Sequence, residues 1–496
     1  MELYTAFAVA AQRYTDRIAI EWEDCSWTYR ERLEAANVVG NFLKHCFSAK
    51  LRNIGLLAPN SPNFCPALFG ILGAGHVVVP FNPLLTAEEI ARLAAHAEIP
   101  MLLYDPLLEE KAKAAVALAG IDFRLVSIPS IFDGGSLDSS PLSPPGDDAA
   151  LAMILYTSGT TGDPKGVMLS HKNVYANFVS FTALLPFNQD DTFPCILPLF
   201  HTYAMTTIVF GALLHGARVI LYPQFVPQKV VENILREPNV VIVAVPPMLH
   251  MMTHFAPDDI AQKHRLRFVV SGGGPLPTDV TYAFEKKFKH ELLEGYGLTE
   301  AAPVVAVNPP GRNKIGTIGP SLPGIQVEVR NETGQIVGVG EVGELCVRGD
   351  NVMMGYYKNP TATQAAFHEG GWLRTGDLAK LDEEGYIKIV GRLKDVIVSG
   401  GDNIYPREIE ETLLRCPGVL EAAIVAKPNK LRSEVPHAFI VRSEEARDTL
   451  TEPELRKFCR RYLAEYKIPD GFTFIEQMPK TAKGTIHKDA LKRQYF

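Results

Sequence analysis

Long uninterrupted apolar runs are missing from this chain of 496 residues. The most apolar stretch, Phe64 to Pro80, is broken by Pro66, several glycines and His76. It is too short and too interrupted to cross a bilayer, and reads as a core helix running into a strand. An excess of positive charge is missing too. Lys and Arg number 49 against 56 Asp and Glu, a formal net charge of −7, which excludes a general nucleic-acid binder with its basic face. Cysteine is sparse: seven residues, at 25, 46, 65, 195, 346, 416 and 459, odd in number and never in C-x-x-C spacing. That pattern gives neither a disulfide framework nor a zinc site and points to reduced thiols in a cytoplasm. The opening residues, Met1-Glu-Leu-Tyr-Thr-Ala-Phe7, lack a basic n-region and an apolar h-region, so no signal peptide is expected. One local absence is informative as well: no acidic residue occurs from Phe193 to Val231.

What is present is an ordinary globular composition, 47% hydrophobic and 21% charged, with length enough for two or three domains. Up to about Arg392, apolar runs alternate with amphipathic segments. Ala91 to Ala97 reads as helix, Met101 to Tyr104 as strand and Lys111 to Ala119 as helix, an alternation that favours βα units and a parallel sheet. A Gly/Ser/Pro-rich loop fills 132–148. After Arg392 the pattern changes. Val396 to Val398 reads as a strand, Gly400-Gly401 as a turn and Pro406 to Cys416 as a helix opened by proline and stopped by Pro417-Gly418. Strands are expected at Ala422–Ala426 and Ala438–Val441, and a helix from Glu452 to Tyr466. This is a separate α+β domain of ordinary size.

Five segments carry chemistry. The first, Tyr156-Thr-Ser-Gly-Thr-Thr-Gly-Asp-Pro-Lys-Gly-Val167, follows the apolar run Leu151–Leu155. Its glycines let backbone N–H groups approach an anion, and its hydroxyls and Lys165 add donors and charge, as a polyphosphate cradle requires. It is not a Walker A loop, whose second glycine would fall at Pro164. The second, Arg267-Phe-Val-Val-Ser-Gly-Gly-Gly-Pro275, is a strand ending in glycines before a helix near Thr278, the place where open α/β sheets bind nucleotides. The third, Glu294-Gly-Tyr-Gly-Leu-Thr-Glu300, offers a ring between glycines, then a hydroxyl and a carboxylate suited to phosphate and magnesium. The fourth, Trp372-Leu-Arg-Thr-Gly-Asp377, puts a carboxylate at a glycine turn, where it can accept hydrogen bonds from both ribose hydroxyls. The fifth is Gly391-Arg-Leu-Lys-Asp-Val-Ile-Val-Ser-Gly-Gly-Asp-Asn403, at the domain junction.

Together and in this order, these segments resemble the adenylate-forming superfamily of acyl-CoA synthetases, luciferases and peptide-synthetase adenylation domains, over essentially the whole chain. The resemblance implies an α/β fold. A large N-terminal domain of layered sheets and helices, residues 1–391, would bind AMP and the acyl group. A hinge at 392–395 would lead to a small mobile α+β C-terminal domain, 396–496. It implies that Thr157, Ser158, Gly159, Thr160, Thr161, Gly162 and Lys165 hold the β- and γ-phosphates of ATP. Gly273, Gly274 and Tyr296 would line the adenine, with Pro275, Glu294, Gly295 and Gly297 also among the ATP- and AMP-binding residues, and Thr299 would bind the α-phosphate. Glu300, with Thr160, would hold Mg²⁺. Asp377 and Arg392 would grip the ribose, Lys394 would be the hinge, and Gly400 and Gly401 would help form the pantetheine tunnel. The implied chemistry has two steps: a carboxylate attacks the α-phosphate of MgATP to give an acyl-adenylate and pyrophosphate, and a thiol, usually of coenzyme A, displaces AMP.

One motif departs from the family pattern. The family ends on P-K-T-x-x-G-K-[IL], whose last lysine bridges carboxylate and α-phosphate; here Pro479-Lys-Thr-Ala-Lys-Gly-Thr-Ile-His-Lys488 puts Thr485 in that place. Three readings stay open: Lys483 reaches the site instead, the chain is slow in the first step and mainly forms the thioester, or it is an adenylate-binding protein without catalysis. In the acid-binding segment Pro198-Leu-Phe-His-Thr-Tyr-Ala-Met205, the resemblance makes His201 a gate. The lack of an acidic partner for a substrate ammonium disfavours an amino acid, and the apolar surroundings favour a medium- or long-chain fatty acid. An aryl or cinnamate-type acid and an acyl-carrier protein as acceptor remain alternatives. Peripheral membrane contact is conceivable for a lipid substrate, although no basic amphipathic helix stands out.

Overall fold

The computed structural model describes residues 1–47, 51–133, 138–157, 165–399, 402–429, 432–480 and 486–496. They pack as two compact units, one of Met1–Val327 with Val347–Leu373, the other of Glu328–Cys346 with Arg374–Phe496. The second unit therefore takes in residues on the N-terminal side of the expected 392–395 hinge.

Two mostly parallel sheets dominate the first unit. One has eight strands, with Thr192–Cys195, Val240–Ala244, Leu266–Ser271 and Leu293–Gly297 side by side in parallel and Val304–Val307 antiparallel at the edge. The other has seven strands, in which Asn53–Leu57, Val77–Pro80, Met101–Tyr104 and Leu151–Thr157 run parallel and Lys165–Ser170 turns back antiparallel on Leu151–Thr157. Strands covered on both faces read as continuous apolar runs, and Val240-Val-Ile-Val-Ala244 shows the division of labour. Val241 and Val243 enter the central core that the two sheets share. Val240, Ile242 and Ala244 enter a second core on the outer face. The Phe64–Pro80 stretch is a fully buried helix, Phe64–Gly73, followed by the strand Val77–Pro80, as its interrupted apolar pattern implies.

The second unit is α+β. A five-stranded sheet contains Ile397–Ser399, Asp402–Ile404, Val419–Asn429, Ser433–Arg442 and Gly471–Phe474, with a core on each face. Pro406 opens the helix Pro406–Leu414, where its missing N–H costs nothing. The helix expected over 452–466 is shorter. It ends at Cys459, with a separate 3₁₀ turn at Glu465–Lys467. Leu455, Cys459 and Leu463 are buried, but Tyr462 and Tyr466 face solvent, so further turns gain little burial.

Candidate active site

In the first unit, Thr157 ends one strand and Lys165 begins the next, paired directly opposite each other. Ser158, Gly159, Thr160, Thr161 and Gly162 lie outside the described residues. Side chains alternate along a strand. Leu155 and Val167 face the central core, so Thr157 and Lys165 face the same side. Lys165 Nζ stands 5.2 Å from the ring centre of Tyr356, close enough for a cation–π interaction. The Tyr356 hydroxyl donates to Glu300 Oε1 at 2.9 Å. Burial, and next the Glu300 charge, push the Tyr356 phenol pKa well up, so it stays a donor. Glu300 shares Tyr356 with Lys165, and a carboxylate oxygen there suits Mg²⁺. Tyr356 was not singled out in the sequence. Its only local signal is Gly355 before it, and the partner is 56 residues away.

The glycines have physical reasons. Ser271 and Glu294 are register partners on neighbouring parallel strands, so the turn Gly272–Pro275 and the Gly295-Tyr296-Gly297 stretch emerge together at the carboxyl ends of the strands. Gly273 has φ +75°, and Gly274 has open space where a side chain would project. A Cβ on Gly297 would come 2.2 Å from the Pro303 carbonyl oxygen. The half-buried Tyr296 packs against the central core. The buried Glu294 carboxylate accepts from Leu276 N–H at 3.4 Å, so this side chain braces the glycine turn.

His201 caps the next feature, its Nδ1 accepting from Tyr203 N–H at 3.2 Å. The helical segments Thr202–Ala204, Met205–Phe210 and Gly211–Leu213 follow without a break, and the middle one is a π-helical turn. Such turns concentrate at functional sites, and nothing in the periodicity announced it. Thr206 Oγ1 donates to Ala302 O at 3.1 Å, and Thr207 Oγ1 to Tyr203 O at 2.6 Å. Thr202 Oγ1 lies 3.5 Å from Thr299 Oγ1. The His201 segment and the Thr299–Glu300 motif thus adjoin. Tyr203 packs its ring on Gly272, where a Cβ would come 2.7 Å from the phenol oxygen. That hydroxyl is buried with no partner among the described residues.

In the second unit, Asp377 and Arg392 are register partners on the antiparallel strands Trp372–Leu381 and Ile387–Arg392. Arg392 Nε lies 3.4 Å from Asp377 Oδ1, with Asp377 14% and Arg392 64% exposed. Buried Glu344 fixes this turn by accepting from Gly376 N–H at 3.1 Å and Arg374 Nε at 3.0 Å. Thr375 Oγ1 accepts from Asp377 N–H at 3.1 Å and donates to Leu345 O at 2.7 Å. Lys394 is exposed in the 3₁₀ turn Leu393–Asp395. Gly400 and Gly401 lie outside the described residues, as do Lys483 and Thr485. The lysines flanking that last motif are engaged: Lys480 pairs with Glu421 at 2.8 Å and Lys488 with Glu410 at 2.7 Å.

A family model described as AMP-binding enzyme matches residues 7–357, and one described as AMP-binding enzyme C-terminal domain matches 408–485. A sulfoacetate–CoA ligase of Cupriavidus necator is 36% identical over 450 residues, covering 88% of this chain and 86% of the relative. A long-chain-fatty-acid–CoA ligase of Mycobacterium tuberculosis is 32% identical over 481 residues, 95% of this chain and 94% of the relative. Among solved structures, ATP-bound MatB from Rhodopseudomonas palustris superposes with a TM-score of 0.92 at 30% identity, covering 100% of this chain and 99% of that one. Among the described residues, no helix is long and apolar enough to cross a membrane.

Proposed function

This chain belongs to the family of AMP-binding enzymes and is an AMP-forming acid–CoA ligase; within that activity, we propose that its acid is an apolar, medium- or long-chain fatty acid. The relatives named above differ in their acids, sulfoacetate in one and long-chain fatty acids in another, so the family alone leaves the acid open. The observation that carries the reading is the wall behind His201. From Thr202 to Leu213 there is no charged side chain, and Ala204, Met205, Ile208, Val209 and Phe210 are buried. The nearest arginine along the chain, Arg218, is already paired with Glu21 and Glu237. A second charge on the acid would find no opposite charge along this segment, and burying a charge unpaired is costly.

In this reading the first step is a problem of charge. A carboxylate must approach the α-phosphate, another anion, so fixed donors carry most of the catalysis. Lys165 and Thr157 would meet the outer phosphates, and Thr299 would offer its hydroxyl to the α-phosphate beside the acid segment. Glu300, braced by Tyr356, would hold Mg²⁺, which when bound neutralises phosphate charge. His201, next to Thr202, would gate the acid. Asp377 accepts the ribose hydroxyls, with Arg392 alongside. The small domain turns about Lys394 before the thiol of coenzyme A displaces AMP. With Lys480 and Lys488 tied to carboxylates, Lys483 is the lysine of its segment left to take the role that Thr485 cannot fill.

A second reading concerns Tyr203. Its buried, unpartnered hydroxyl favours an acid without a second charge that brings a neutral polar group of its own, such as a hydroxyaryl acid, because an unsatisfied buried hydroxyl is costly. ATP–pyrophosphate exchange separates the readings, with acetate, octanoate to palmitate, sulfoacetate, cinnamate and 4-hydroxycinnamate as substrates. Fastest exchange with octanoate to palmitate supports the fatty acid. A preference for 4-hydroxycinnamate over cinnamate that Tyr203→Phe abolishes supports the second reading, and a preference for sulfoacetate overturns both.

A further inference from the structure

We propose that His96, sixty residues from the phosphate-type loop, is a positioning residue for ATP that acts through Tyr156. The inference rests on the reading above in one respect, that Thr157 and Lys165 meet the phosphates. His96 lies in the last turn of the helix Ala87–Ala97, which a Thr86–Glu89 capping box fixes at its start. Its Nδ1 and the Tyr156 hydroxyl form a hydrogen bond of 2.7 Å, and the two rings meet edge to face at 5.6 Å. A second edge-to-face contact, at 5.9 Å, joins His96 to Tyr357. Lys358 Nζ donates to the His96 carbonyl at 3.2 Å and pairs with Glu98 at 2.9 Å.

The other side of the hairpin is held by the same segment. Tyr357 N–H donates to Gly166 O at 2.7 Å. Gly166 stands opposite Tyr156 in the ladder. A Cβ there would come 3.2 Å from the Tyr156 ring, 3.3 Å from Tyr357 Cβ and 2.8 Å from Ile154. Glycine at 166 is what lets both tyrosines close over the strands. Tyr156 and Met168 face this outer cluster, while Thr157 and Lys165 face the opposite side.

The last residues of one strand and the first of the next are therefore gripped from His96 on one flank and from Tyr357 on the other. The residue before Tyr357 is Tyr356, which carries Lys165 over its ring and Glu300 on its hydroxyl. Loss of the His96–Tyr156 bond frees the strand end and lets Thr157 and Lys165 shift relative to Glu300. Pre-organised donors lose most of their value when misplaced by an ångström.

The test uses the full chain with His96→Leu, Tyr156→Phe, the double variant and His96→Gln, which keeps a hydrogen-bonding group. Calorimetric titration with MgATP gives the affinity of each. Thioester formation from a synthetic acyl-adenylate and coenzyme A, which needs no outer phosphates, gives the second half-reaction. His96→Leu and Tyr156→Phe are each expected to weaken MgATP binding about 5- to 10-fold, the scale of one hydrogen bond. The double variant should be no worse than either single one, His96→Gln should recover most of the loss, and the second half-reaction should stay within about two-fold of wild type. Wild-type MgATP affinity in His96→Leu overturns the proposal, as do equal losses in binding and in the acyl-adenylate reaction. Because MgATP binding is read directly, the clamp is tested even if no acid supports pyrophosphate exchange, an outcome that would count against the proposed function alone.

Discussion

The Tyr356 hydroxyl donates to Glu300 at 2.9 Å while Lys165 rests over the same ring at 5.2 Å, so one side chain touches both a carboxylate and a cation of the site. Tyr356→Phe keeps the ring and removes the bond. The expected result is adenylation slowed about 10-fold with a higher magnesium requirement, and an unchanged melting temperature. Pyrophosphate exchange as a function of magnesium concentration reads it. An unchanged magnesium curve would show that Glu300 needs no brace.

Asp377 and Arg392 face each other across a ladder, with the carboxylate mostly buried and the guanidinium mostly in water. A site built to pair with a hydroxyl rejects analogues that lack it. Wild type should therefore favour ATP over 2′-deoxy-ATP in exchange assays. Asp377→Ala should lose affinity for ATP and most of that discrimination; retained discrimination would place the ribose elsewhere.

Lys483→Ala should lower pyrophosphate exchange about 10²–10³-fold, the usual cost of losing one electrostatic donor, and spare thioester formation from acyl-adenylate. Adding Thr485→Lys to that variant should restore exchange, because it returns a lysine to the family's position. Full exchange in Lys483→Ala would remove Lys483 from the mechanism.

Two buried histidines set an acid limit. Burial is the main reason that His76 and His171 are both lowered from 6.5 to about 4. His171 Nδ1 accepts from Leu3 N–H at 3.3 Å, and the ring nitrogens of His76 have no partner among the described residues. Between pH 6.5 and 4 the unfolded chain binds protons that the folded chain refuses. Stability is therefore full above 6.5 and falls as pH drops toward 4. The melting temperature should fall across that window, and less steeply in His171→Asn. A flat profile from pH 6.5 to 4 would refute the assignment.

Gly297→Ala places a Cβ 2.2 Å from a backbone carbonyl oxygen, and backbone cannot step aside as a flexible side chain can. A loss of ~1–3 kcal/mol or more is expected, seen as a lower unfolding midpoint. Gly274→Ala, with nothing within 4 Å, should leave the midpoint unchanged.

Much of this was legible in the sequence where the signal is local. The helix at Thr278, the proline-opened helix at 406 and the strand before Thr157 follow from apolar runs, glycines and prolines within a few residues. Lys165, Glu300, Asp377 and Arg392 stand in segments dense in polar chemistry. Tyr356, Tyr203 and His96 did not stand out, because what makes them matter is a partner 56 to 69 positions away (Gly272 for Tyr203), and one-dimensional periodicity carries no such contact. The helix past Cys459 was overextended because helical spacing at Leu455, Cys459 and Leu463 continues after burial of the surrounding turns has run out.

The π-helical turn at Met205–Phe210 amounts to one extra residue wound into the buried segment after His201, the segment proposed above to face the acid. Each helical residue turns the chain by about 100°. Deleting one residue there would regularise the helix and swing His201–Ala204 about 100° relative to Gly211–Leu213. A change of register, with every remaining side chain kept, would re-line the wall. If this segment faces the acid as proposed, a single-codon insertion or deletion in it is a route to a different acid as direct as any substitution.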